Sequence, residues 1–303
     1  MSPSPRAWAL VQGGYDLHVH VAPDLLPRKT DDLTLARRFR ELGLKGFLLK
    51  SHFVPTGERA AVVRQAVPGV EVLGGVVLNH AVGGLNPVAV EVAARSGVRF
   101  VWLPTVDAAN EAREVEELPP EKRPQWVRLQ AAFREAGLLP PPLSVLDPSG
   151  RLLPEVRAVL RAVARHGLVL ATGHLSREEV LRVVEGALEE GVRWVVVTHP
   201  DYPTQNLTLS EQRLLAGWGA YLERCFVPFF TGKVPWERLF QALRETPPEQ
   251  NFLSTDLGQP SNPPVEEGLA LFADRLLEAG FSEAEVRHWA VTVPTRLAEG
   301  GVR

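Results

Sequence analysis

Residues 168–199 read LVLATGHLSREEVLRVVEGALEEGVRWVVVTH, and this stretch decides the fold. Two short apolar runs, Leu168 to His174 and Trp194 to His199, flank a segment in which Val180, Leu181, Val183, Val184 and Leu188 recur at helical spacing. Ser176 followed three residues later by Glu179 forms a capping box that starts the helix. Gly191 stands where a left-handed C-terminal cap takes glycine. Strand, crossover helix and strand make the unit of a parallel sheet.

The same alternation extends in both directions. Further apolar runs are Tyr15 to Val21, Gly46 to Phe53, Val70 to His80, Val98 to Thr105, Ala220 to Phe226 and Phe252 to Asp256. Eight strand and helix alternations in 303 residues match the size of a (β/α)8 TIM barrel of the α/β class. An open doubly wound sheet would need a Gly-rich phosphate loop after its first strand, and the chain has none there. Between the fourth and fifth runs the sequence LLPPPLSVLDPSGRLLPEV, with its Asp147-Pro148-Ser149-Gly150 turn signal, predicts a small β-hairpin insertion. The expected organisation is a single barrel domain over 1–303.

Composition narrows the function. Lys and Arg number 33 against 36 Asp and Glu, so no basic footprint for nucleic acid stands out. No run approaches the roughly 18 apolar residues of a membrane span. The N-terminal sequence lacks the basic, apolar and small-residue succession of a secretory signal. The lone Cys225 has no disulfide partner within the chain and reads as buried filler. The expectation is a cytoplasmic protein with a small-molecule substrate and no membrane or nucleic-acid partner, its oligomeric state unspecified.

The positions of the polar residues carry the chemistry. Of eight histidines, His18, His20, His52, His80, His174 and His199 fall at or just beyond strand ends, where a parallel barrel gathers its catalytic loops. His18 and His20 are two apart on a strand, point to one face and have the spacing of ligands to one metal ion. Asp256 follows a buried apolar strand, where an unpaired carboxylate is costly and a cation removes the cost.

This pattern resembles the amidohydrolase superfamily of metal-dependent hydrolases. That family places His-x-His after strand one, single histidines after strands five and six, and an aspartate after strand eight; His18, His20, His174, His199 and Asp256 match in order. The resemblance implies metal ligation by the four histidines, and a double role for Asp256 as ligand and proton shuttle for the attacking water. The strand-four end, Val98 to Thr105, departs from the family by lacking a bridging Lys or Glu. Lys50 on strand two is the substitute candidate, as a bridging carbamate among the metal ligands or as a substrate-binding ammonium. Glu223 at the end of strand seven, His52 and His80 are candidates for substrate binding, and Glu223 also for ligation. Nitrogen-rich ligation favours Zn²⁺, one ion or two, with Mn²⁺, Fe²⁺ and Ni²⁺ as alternatives. The implied reaction is hydrolysis of an amide, lactone or other ester bond by a metal-activated water. Decarboxylation, phosphoester hydrolysis and a non-catalytic metal- or ligand-binding barrel stand as alternatives.

Overall fold

Each apolar run forms a strand in the computed structural model, which describes residues 2–300; the remaining positions of the 1–303 span lie outside the described residues. The strands are β1 (Tyr15–Val19), β2 (Gly46–Leu49), β3 (Glu71–Val77), β4 (Val98–Trp102), β5 (Val169–Ala171), β6 (Trp194–Val197), β7 (Tyr221–Cys225) and β8 (Asn251–Ser254). They pair in parallel in chain order, as right-handed crossover helices on the outside require. The sheet returns to its start just past β8: Val19 bridges Leu257 in parallel, and the Leu257 carbonyl accepts from the His20 N–H at 2.8 Å. The architecture is a (β/α)8 barrel.

The barrel interior is filled by side chains contributed by every strand, among them Leu17, Leu48, Val77, Trp102, Ala171, Val196, Tyr221 and Phe252. The helix Val293–Glu299 closes the end of the barrel opposite the C-terminal ends of the strands, with the Tyr15 hydroxyl donating to Glu299 at 2.8 Å. The outer faces pack against helices. In Arg177–Glu189, the capping box of Ser176 and Glu179 forms, and Val180, Val183, Val184 and Ala187 are buried. Leu188, expected on that face, is instead 44% exposed, because the buried stripe is narrower than the apolar set.

β1 breaks its own alternation. Tyr15 and Leu17 point into the barrel, whereas Val19 packs on the outer cluster, and the register with β2 shifts between Asp16 and Val19. Asp16, between the inward Tyr15 and Leu17, turns its carboxylate the other way, toward β8, where it accepts from the Thr255 N–H at 3.0 Å, the Thr255 hydroxyl at 2.5 Å and the His18 N–H at 3.3 Å.

The expected hairpin between β4 and β5 is not formed as strands. That connection holds three α-helices, Ala109–Glu116, Trp126–Glu135 and Pro154–Arg165, with an isolated antiparallel bridge between Leu146 and Leu152 around the Asp147 turn ahead of the third. Two backbone bonds flank the turn, from the Asp147 N–H to the Arg151 carbonyl at 2.8 Å and from the Leu153 N–H to the Val145 carbonyl at 3.0 Å, and the pairing ends there because the chain enters the helix that begins at Pro154, which has no N–H to donate. Val106, Val115 and Trp126 make a small core of their own beneath this excursion, with Leu26 packed against it.

Candidate functional site

The strand ends bring six of the predicted residues to one pocket of about 440 Å³: His20, Lys50, His52, His174, His199 and Asp256. His18 lies directly beneath, fully buried. Its Nε2 is 3.1 Å from Asp256 Oδ1 and 2.9 Å from Lys50 Nζ, and its Nδ1 is 3.1 Å from Glu223 Oε1. The same Asp256 oxygen is 3.1 Å from His20 Nε2. Ligand-type atoms of His18, His20 and Asp256 all fall within 4.8 Å of one another, and so do those of His18, Glu223 and Cys225.

The other imidazoles surround this group. His52 stacks on His20 with ring centroids 5.0 Å apart, and His199 stacks on His18 at 6.1 Å. His174 lies 5.1 Å from His199 and 6.1 Å from His52. Two of these rings are held from behind by hydrogen bonds. The His199 Nδ1–H donates to Gln205 Oε1 at 2.9 Å, and His52 Nδ1 lies 2.8 Å from the Thr105 hydroxyl, itself fixed by Asn79 Nδ2 at 2.8 Å. His174 Nδ1 lies 3.3 Å from Glu111 Oε2, and both atoms are buried without a hydrogen-bond partner.

The backbone is strained where two of these residues sit. His199 and Asp256 have positive φ, 27° and 58°, a region that side chains with a Cβ rarely occupy and that clusters at functional sites. Gly258, at φ 137°, lies so close to His20 that a Cβ there would run into the His20 carbonyl.

Charge is organised around Asp256. Burial favours its neutral form, but His18 charge and hydrogen bonds from His18 and His20 outweigh it and hold the carboxyl well below the usual range. Burial and the Lys50 ammonium oppose charge on His18; Asp256 and Glu223 prevail and raise it to about 9. Burial pushes His20, His52 and His199 well down, reinforced by cationic neighbours, and also lowers Lys50.

Besides His18, two predicted residues do not line the pocket. Glu223 is buried behind His18, where its Oε1 also accepts from the Ser254 hydroxyl at 2.9 Å. His80 begins a short 3-10 turn (His80–Val82) after β3 and faces the β4–β5 excursion, its Nε2–H donating to the Pro141 carbonyl at 2.9 Å. Sequence reasoning missed Glu111, Arg123 and Trp126, all supplied by that excursion, together with Arg28, Tyr202 and Lys233. The position of the 106–125 connection, directly after the C-terminal end of β4, was the signal for the first group; a charge on a helix or loop otherwise reads as solvated.

Comparison with known proteins agrees with this architecture. An amidohydrolase from Pseudomonas aeruginosa superposes with a TM-score of 0.62 at 13% identity, covering 98% of both chains. A probable dipeptidase, PvdM, from Pseudomonas aeruginosa gives 0.62 at 13% identity over 97% of this chain and 98% of that one. An organophosphorus hydrolase variant from Deinococcus radiodurans gives 0.55 at 15% identity over 95% and 94%. At such identities the likeness is one of fold. No curated protein matches the sequence. The model of a family of unknown function, DUF6282, matches residues 13–223, which run from the turn before β1 to the middle of β7, and the chain belongs to that family.

Proposed function

We propose that this protein is a metal-dependent hydrolase that cleaves an amide, lactone or other ester bond of a small molecule. The observation that carries the reading is the convergence of His18, His20 and Asp256 ligand atoms within 4.8 Å at the base of a pocket. The donor set suits a divalent ion: imidazole and carboxylate are zinc ligands, and the orphaned Glu111 Oε2 and His174 Nδ1 mark polar groups with unmet partners beside it. His18, His20 and Asp256 would hold one ion, with His174, His199 and Lys50, which line the same pocket, available for a second. Zn²⁺ fits best, with Mn²⁺, Fe²⁺ or Ni²⁺ as substitutes. When bound, such an ion polarises the scissile carbonyl and lowers the pKa of a water toward about 7.

The chain's own groups do the rest. Asp256, held ionised, takes the proton of the attacking water at its carboxylate and returns it to the leaving group. Glu223 and Gln205 fix the ring orientations of His18 and His199 from behind. Lys50 and His52 face the substrate from beyond β2. The buried, unpaired Cys225 suits a reducing cytoplasm. The test is turnover by the metal-loaded protein of a panel of small amides, lactones and esters with product analysis. Hydrolysis lost in Asp256→Asn supports the reading; no hydrolysis of any member, or undiminished hydrolysis by Asp256→Asn, overturns it.

A further inference from the structure

We infer that the molecule taken by this pocket carries an anionic oxygen group, a carboxylate or a phosphate, seated at the rim lined by Arg123 and Lys233. Only the placement of its reactive bond, over the His20 and Asp256 floor, rests on the hydrolase reading above.

The charge inventory of the pocket wall leads there. Four cationic side chains line it, Arg28, Lys50, Arg123 and Lys233, against two carboxylates, Glu111 and Asp256. Both carboxylates face histidines and not the rim cations: Asp256 lies 3.1 Å from His18 and His20, and Glu111 lies 3.3 Å from His174. Arg28 is neutralised by Asp24 at 2.7 Å, and Lys50 is buried against His18. Arg123 and Lys233 are different. Both are exposed, and among the described residues neither has a carboxylate within ion-pair distance.

The contacts of these two side chains position them without using up their charge. The Arg123 guanidinium donates to the Leu118 and Glu116 carbonyls at 3.0 and 3.1 Å, which fixes the fork while leaving a net positive charge at the rim. Lys233 Nζ donates to the Tyr202 hydroxyl at 2.5 Å and lies 4.9 Å from the centre of that ring. A divalent ion at the floor would make the pocket more positive still. A neutral or cationic substrate would leave both rim cations without a counter-charge, whereas an anionic group gains charge-assisted hydrogen bonds. Trp126 on the same wall offers an apolar surface to the body of the molecule, which the pocket volume limits to small-molecule size.

The test uses the protein as purified, with isothermal titration of succinate and glycerol 3-phosphate, and of their neutral counterparts succinamide and glycerol. At least one acid is expected to bind, to weaken with added salt, and to lose about tenfold or more in affinity in the Arg123→Met/Lys233→Met double variant with metal content unchanged. The acid that binds more tightly distinguishes carboxylate from phosphate. Equal binding of a neutral counterpart, no binding of either acid, or undiminished binding by the double variant would overturn the inference; the last would place the anion on the floor alone. Because binding is read without turnover, failure here leaves the hydrolase reading intact, and absence of hydrolysis leaves this result intact.

Discussion

Asp256 and His18 are joined twice: the Asp256 N–H donates to the His18 carbonyl at 2.8 Å, and the Asp256 carboxylate lies 3.1 Å from His18 Nε2. The first contact belongs to the seam that closes the barrel between β8 and β1, and the second belongs to the site. Barrel closure therefore sets the separation of the two side chains, and the positive φ of Asp256 is what allows one residue to serve both.

Asp16 fastens that seam through Thr255 and the His18 N–H. Asp16→Ala leaves three buried donors without an acceptor, each costing about 1–3 kcal/mol. A fall of the urea unfolding midpoint together with weaker metal binding is expected. Asp16→Asn retains acceptor capacity on one oxygen and falls between Asp16→Ala and the parent.

Asp256→Asn keeps the volume of the side chain and removes its capacity to accept the water proton. Turnover is expected to drop by about 10²- to 10⁴-fold. The comparison of kcat with substrate affinity checks it, the loss lying mainly in kcat.

Glu111 is the carboxylate behind His174. Removing such a partner typically weakens metal affinity by about 10- to 100-fold. Glu111→Gln is therefore expected to lower the affinity for Zn²⁺ in a competition titration while the thermal unfolding of the metal-free protein changes little.

Gly258→Ala tests the close approach to His20. Gly97 also has a positive φ, 79°, but open space around it, so Gly97→Ala carries conformational strain alone, about 1 kcal/mol. Gly258→Ala adds a collision with the His20 carbonyl and is expected to cost about 1–3 kcal/mol more, read as the difference between the two unfolding midpoints.

The barrel was legible because parallel strands buried on both faces read as continuous apolar runs, and because a histidine or aspartate directly after such a run stands out. His18, His20, His174, His199 and Asp256 meet on that account. His80 satisfies the same positional rule but is carried away by the turn that begins at it, a local geometry that strand-end counting does not see. The hairpin expectation read the turn signal correctly, but the pairing around it stops at one bridge because the chain passes directly into the helix that begins at Pro154. Glu111, Arg123 and Lys233 were not legible as site residues, since their place in the pocket depends on how the β4–β5 and β7–β8 connections fold back over the barrel.

The most direct test of the central claim is the metal content of untagged protein purified without chelator, measured by inductively coupled plasma mass spectrometry beside His18→Ala and His174→Ala. The account predicts about one or two transition-metal ions per chain, with less in His18→Ala, and less in His174→Ala where a second ion is held. A value near zero that resists reconstitution, or normal content in both variants, would contradict it.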